Sequence, residues 1–320
     1  MGHPLQIGFL STLYHTSHLI RERQQVEHRL GRDCRWRLFG TGPEMMGAFG
    51  KGELDLGYIG LPPVLIGIAA GTEVVCIAGG HIEGTVMAGP PGYRSLEECG
   101  GFEPFLMQFD RAHIGIPARG SIHDVIFREL LARYPGRCIE IRNYSWADLI
   151  PYGISKGEVR AAVGTPPLAV LCGRETGARV LIPANALWPF SPSYGIVAAR
   201  ALLSEEGPFL EGFLGLHEES CNLVRRAPEE AARITVRSMP GLDERFVRET
   251  YRLSPGYCAA LPEAYIRSSL DFLPVLMRLG YLGRSLDRTA IFDTRFVEKA
   301  HPEPPHYRDP ANLRPAPVCH

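Results

Sequence analysis

The chain has 320 residues, 45% hydrophobic and 22% charged, the proportions of a soluble globular protein with room for two domains, not of a disordered polymer or a membrane bundle. Lys and Arg total 34 against 35 Asp and Glu, a formal net charge of −1, which leaves no electrostatic footprint for nucleic acid or anionic lipid. The eight cysteines include no C-x-x-C pair, which excludes zinc-ribbon and thioredoxin motifs and, in a chain able to build a large core, reads as reduced thiols.

No Lys or Arg precedes the first apolar residues, and Ser11, Thr12 and His15 interrupt the run that follows. The N-terminus therefore reads as a first strand over 5–10 and not as a secretory signal. Cytoplasmic residence follows for a complete gene product, and periplasmic or extracellular residence for a trimmed mature form. Further strands are expected over 35–39, 56–59 and 74–79. The longest apolar stretch, 54–71, carries Asp55 and the pair Pro62-Pro63, so it is core and not a membrane span. The turn-rich segment 88–103 reads as a crossing between two halves. A second set of strands is expected over 113–116, 138–142, 161–163 and 179–183, then a second crossing over 183–195 and a strand restarting at 196. From 202 to 297 the pattern is nearly all helix. The proline-rich 301–320 reads as a tail lying along the surface or loose.

The two halves echo one another. QIGFLSTLYHTSHLI at 6–20 is matched by HIGIPARGSIHDVIF at 113–127, and GELDLGYIGLPPVLI at 52–66 by GEVRAAVGTPPLAVL at 157–171. Both pairs occur in the same order at nearly the same offset, as in two lobes of similar α/β build, each a mostly parallel sheet covered by helices. The expected division is a discontinuous first lobe (1–86 and 195–300), a second lobe (87–194) and the tail.

In such sheets a ligand lies beyond the carboxyl ends of the strands. The candidate residues are therefore those on the turns that follow them: Ser11, Thr12, Tyr14, His15 and His18 in the first lobe, with Thr41 and the Gly60-Leu61-Pro62 turn. From the second lobe come Arg119, Gly120, Ser121 and His123, and the Gly164-Thr165 turn, while His81, Glu83 and Tyr194 border the crossings. Gly120 and Ser121 precede a helix whose free N–H groups suit a carboxylate, sulfonate or phosphate, with Arg119 as a bidentate partner. Tyr14 and Tyr194 are placed to sandwich a planar ligand. Trp146 and Trp188 read as core anchors. The histidines, with Glu83, suit either a metal or pH-responsive site or plain hydrogen bonding and capping; no metal ligand is assigned and no cofactor is expected.

The run GELDLGYIGLPPVLIGIAAG, the later GEVRAAVGTPPLAV and the closing RLGYLGRSLDRTAIFDTRFVEKA resemble the nitrate, sulfonate and taurine substrate-binding proteins of ABC transporters, in the superfamily that contains the thiamine-pyrimidine synthases. The resemblance covers roughly residues 5 to 300. It implies a type II periplasmic-binding-protein fold: two α/β lobes, two hinge strands and an interlobe cleft. The chain departs from the family in lacking an export segment and in carrying Arg160, Gly164 and Thr165, where members show an Asp and then a Trp or acidic residue. Ile59 and Pro63 stand where the synthases place a cofactor Lys and a His, and the turn 11–18 lacks the Cys of sulfinate desulfinases.

The leading expectation is a binding protein that closes on a small anionic organic molecule, with an ABC permease or a sensor partner and with neither nucleic acid nor membrane insertion. The alternative is a cytoplasmic lyase, hydrolase or biosynthetic enzyme acting on a small carboxylated metabolite, with the cleft histidines as acid and base.

Overall fold

The structure is a computed structural model that describes residues 3–239 and 241–308. Its strands, in chain order, are β1 (Leu5–Leu10), β2 (Cys34–Phe39), β3 (Leu56–Ile59), β4 (Val74–Ile82), β5 (Val86–Gly89), β6 (His113–Pro117), β7 (Glu140–Tyr144), β8 (Ala161–Gly164), β9 (Arg179–Ile182) and β10 (Pro192–Ala199). They form two five-stranded sheets, of order β2-β1-β3-β10-β4 and β7-β6-β8-β5-β9.

The sheets share one plan. In the first, β1 runs parallel to β2 and β3, and β10 lies antiparallel between β3 and β4. In the second, β6 runs parallel to β7 and β8, and β5 lies antiparallel between β8 and β9. In each lobe the antiparallel strand is the one next to a crossing. Parallel strands need helical crossovers, which cover both faces, so the inner strands are apolar without alternation. Every residue of β3, β5 and β8 is buried accordingly, and so is every residue of the edge strand β4, which other segments cover.

Three sequence expectations shift. The first crossing is Glu83–Thr85, not 88–103, because Val86–Gly89 is a buried strand too short to show a period and its neighbours Pro90 and Pro91 read as loop. Glu83 turns the corner at φ +57°. β10 begins at Pro192 and not at 196, with register shifts against β4 between Pro192 and Tyr194 and again as far as Val197. β7 starts two positions late.

Nor is 202–297 uniformly helical. Residues 254–262 lie extended along β4, where Gly79 N–H donates to the Ala259 carbonyl at 2.8 Å and Cys258 N–H to the Gly80 carbonyl at 3.2 Å. The proline-rich segment packs rather than lying loose. His301 and Tyr307 are buried, and Tyr307 donates to the Ala260 carbonyl at 2.8 Å. Residues 309–320 of that tail lie outside the described residues.

This packing leaves no space at Gly79, where an added Cβ would fall against the Tyr307 hydroxyl and 2.5 Å from the Ala260 carbonyl oxygen. Backbone cannot yield as a side chain does. Gly79→Ala is expected to destabilise the protein by ~1–3 kcal/mol through overpacking, seen as a lowered Tm. An unchanged melting temperature would mean that neither 254–262 nor 301–308 seats on β4 in this way.

Candidate functional site

The carboxyl ends of β1, β2 and β3 face those of β6, β7 and β8 across a cavity of about 70 Å³, which at ~10–15 Å³ per water has room for about five waters or a small solute. Residues from the turns after all six strands line it, from Ser11 after β1 to Ala147 after β7, and Ser193 closes it from the hinge side. The lobes touch around it: an added Cβ at Gly40 would meet the Trp146 ring at 3.0 Å, and one at Gly60 would meet Ile122 at 3.5 Å.

Four helices begin at this cavity, Gly42–Gly50, Leu61–Ala69, Ile122–Arg133 and Pro166–Thr176. Their N-cap residues Thr41, Gly60, Ser121 and Thr165 all line it. Thr41, Ser121 and Thr165 accept from the amides of Glu44, Asp124 and Leu168 at 3.3–3.4 Å, the usual reason for such residues at this position. Pro43, Pro62, Pro63, Pro166 and Pro167 occupy first turns, where a missing N–H costs nothing. Among first-turn donors, the amides of Gly42, Leu61, Ile122 and His123 are neither replaced by proline nor taken by a cap, and helix geometry gives them no acceptor of their own. Four positive helix ends thus meet in a cavity lined by no Asp, Glu, Lys or Arg. Asp124, in the first turn after Ser121, is fully buried and engaged by Arg128 and Asn143 at 3.0 Å.

The polar lining is hydroxyl and imidazole. Tyr14 and Ser193 share a hydrogen bond of 2.8 Å, and burial holds the phenol protonated, raising its pKa. His15 lies between Tyr194 and Tyr14, with ring centroids 4.1 and 4.8 Å away. Burial, then the neighbouring His18, His81 and His217, keep it neutral, well below the ordinary imidazole range. His123 pairs through Nδ1 with Thr85 at 2.9 Å and is pushed down to about 4 by burial. Two cavity-lining residues hold buried atoms without a protein hydrogen-bond partner, His15 Nδ1 and Thr12 Oγ1. Such atoms are costly unless a ligand or water satisfies them.

Of the sequence candidates, Ser11, Thr12, Tyr14, His15, Thr41, Gly60, Ser121, His123 and Thr165 line the cavity. The others lie elsewhere. Leu61 and Pro62 are buried in the helix that starts there, and Gly164 ends β8. Tyr194 sits beneath His15. His18 packs edge-on against Phe9 and pairs with Ser238 at 3.2 Å. His81 bonds the Ser254 carbonyl at 2.7 Å. Glu83 accepts from Phe190 N–H and Arg308, each at 2.7 Å. Arg119 is turned outward onto Tyr281, with Nε 3.2 Å from its hydroxyl, and Gly120 lies beside it at φ +79°. Among the described residues these histidines and Glu83 form no group of three converging metal donors. Trp146 is 44% exposed at the cavity edge, so it is not the core anchor expected; Trp188 is, stacked 4.2 Å from Phe272.

Sequence reasoning did not select Ser193, Pro117, Ala118 or Ala147. Ser193 lay hidden in a segment that reads as linker, and the other three have no polar side chain to mark them.

Residues 2–237 match the profile of the NMT1-like family. Among solved structures, the alkanesulfonate-binding protein SsuA from Xanthomonas axonopodis pv. citri, bound to MOPS, aligns with TM-score 0.76 and 19% identity over 91% of this chain and 98% of its own. The periplasmic aliphatic sulphonate binding protein SsuA from Escherichia coli gives 0.76 and 18% over 92% and 93%. The periplasmic nitrate-binding protein NrtA from Synechocystis PCC 6803 gives 0.73 and 14% over 93% and 88%. These similarities establish the two-lobed periplasmic-binding-protein fold. No curated protein matches in sequence.

Proposed function

We propose, from the premise that this chain belongs to the NMT1-like family, that it is a substrate-binding protein holding a small organic anion between its lobes. The observation that carries this is the meeting of four helix N-termini in a cavity with no charged side chain. Each helix end bears roughly half a positive charge, and an oxyanion could take its hydrogen bonds from the amides of Gly42, Leu61, Ile122 and His123 and the hydroxyls of Ser11, Thr12 and Thr41. Neutral donors that need no reorganisation suit a sulfonate, carboxylate or nitrate-sized group, and His15 Nδ1 and Thr12 Oγ1 would gain the partners they lack. The lobes, 1–86 with 195–300 and 87–194, would hinge at Glu83–Thr85 and at the strand start around Ser193.

Solved neighbours are described as periplasmic, and among the described residues no helix is long and apolar enough to cross a membrane. The periplasmic alternative is therefore the one we adopt, with the closed, loaded form presented to an ABC permease.

A panel of nitrate, short alkanesulfonates and carboxylates, with matched alcohols and amines at constant ionic strength, tests the reading by thermal shift and calorimetry. One class of anion should stabilise the fold by about 2.7 kcal/mol at a hundredfold excess over Kd. Equal stabilisation by the neutral analogues would overturn it. Because Arg119 lies outside the cavity, Arg119→Ala is expected to leave the affinity within about fivefold, since exposed charges contribute ~1 kcal/mol or less; a loss above tenfold would put the guanidinium in the bound state.

A further inference from the structure

We propose that Glu218, Cys258, His301 and His306 form a structural site for a divalent transition-metal ion of the zinc class. None of them lines the interlobe cavity. One ligand atom from each residue lies within 4.8 Å of the others. Cys258 Sγ is 3.1 Å from His301 Nε2 and 3.9 Å from His306 Nδ1. Glu218 Oε2 is 3.9 Å from His301 Nε2, and its Oε1 is 3.5 Å from His306 Nδ1. A tetrahedral ion with metal–nitrogen and metal–oxygen bonds of ~2.0–2.2 Å and a metal–sulfur bond of ~2.3 Å sets its ligand atoms ~3.3–3.7 Å apart. These spacings bracket that range and every pair lies within 4.8 Å, so shifts of at most about 1 Å would close the shell.

The surroundings orient three of the four donors. His301 faces Cys258 with Nε2 while its Nδ1 meets Glu303 at 2.8 Å, the carboxylate–imidazole arrangement that fixes the tautomer with the Nε2 lone pair toward a metal. Glu218 is held by Ala259 N–H at 2.7 Å and by the buried Arg225 guanidinium at 2.8 Å. The Cys258 sulfur also accepts the His306 backbone N–H at 3.3 Å, as a bound thiolate would. A divalent ion with one thiolate, one carboxylate and two neutral imidazoles has no net charge, which suits a place where Glu218, Cys258 and His301 are buried. With all four positions supplied by protein, the site is of the closed, structural kind and not a catalytic one.

The ligands come from three parts of the chain. Glu218 is in the long helix Gly207–Arg226, Cys258 lies on the extended segment along β4, and the two histidines follow the helix Arg295–Ala300. The ion would fasten the C-terminal segment to the first lobe. Within that segment Arg308 pairs with Glu83 at the first crossing.

The test uses the full chain, purified without chelator and dialysed against limiting Zn2+. We expect about one ion per chain by elemental mass spectrometry, a Tm lowered by chelator, and, with Co2+ in its place, the intense d–d and sulfur charge-transfer bands of a tetrahedral thiolate site. His306→Ala, at the half-exposed ligand, should lose most of the metal and make melting indifferent to chelator. Cys258→Ser should lose the charge-transfer band; if it does not fold, His306→Ala still decides. Wild-type protein with substoichiometric metal and chelator-independent melting, or metal content unchanged in His306→Ala, would overturn the site.

Discussion

Thr165→Asp is expected to weaken anion binding on the order of a hundredfold while changing the stability of the protein little. Thr165 is 5% exposed, caps the helix Pro166–Thr176 and lines the cavity. Asp is an equal or better N-cap than Thr, and its carboxylate faces the positive helix end, a favourable placement of ~0.3–1 kcal/mol. These two terms offset the desolvation of a carboxylate at this buried cap, so Tm should fall by no more than a few degrees. The same carboxylate would sit in a cavity lined by no cation. Two like charges ~5 Å apart at an effective dielectric constant of ~20 repel by ~3 kcal/mol, so affinity for the tightest anion of the panel should fall on the order of a hundredfold by calorimetry. Thr165→Ser, which keeps the hydroxyl, should bind within a few-fold of the parent. Retention of affinity by the Asp variant at unchanged Tm would show that the anion, if bound, is not held at this end of the second lobe.

The residues whose positions could be read from sequence are those whose structure is set locally. Strands β1 and β3 lie over 5–10 and 56–59, as their apolar runs and bounding turns indicate, and Ser121 and Thr165 fall at N-caps because Ser and Thr before an apolar-periodic run satisfy first-turn amides. The rule that ligands meet the carboxyl ends of parallel strands then brings Ser11, Thr41, Gly60, Ser121 and Thr165 together without any long-range information. What was not legible depends on distant partners. Arg119 reads as an anion ligand until Tyr281, 162 positions away, draws its guanidinium outward. His18 differs from His15 only in meeting Phe9 and Ser238. Val86–Gly89 is too short to carry a period, and its place as an antiparallel insert is set by pairing with β8 and β9. The quartet Glu218, Cys258, His301 and His306 spans three separate segments, so no motif spacing announces it.

Acid is expected to unfold the protein near pH ~5, well above the range set by carboxylates alone. Burial lowers His18 to about 3, helped by Arg21, and lowers His81 and His123 to about 4, against the small opposing effects of the Ser254 carbonyl and of Asp124. Each titrates near 6.5 in the unfolded chain. Above that pH both states are neutral and stability is at its full value. As pH falls from 6.5 toward 4 the unfolded state takes up protons that the folded state refuses, so stability drops by ~1.4 kcal/mol per pH unit for each histidine, or ~4 kcal/mol per unit for the three. Two units would consume much of the ~5–15 kcal/mol typical of a folded protein. Urea midpoints at pH 7.5, 6.5 and 5.5 should decline only below 6.5, and because burial lowers His15 and His217 as well, His123→Gln should flatten that decline by about a fifth. A midpoint constant down to pH 5 would mean that these rings titrate freely. The same displacement governs the cavity, because His15 and His123 stay uncharged between pH 6 and 8. Anion affinity should therefore be flat over that range, whereas an imidazolium ligand would strengthen it by up to tenfold for each unit below 6.5.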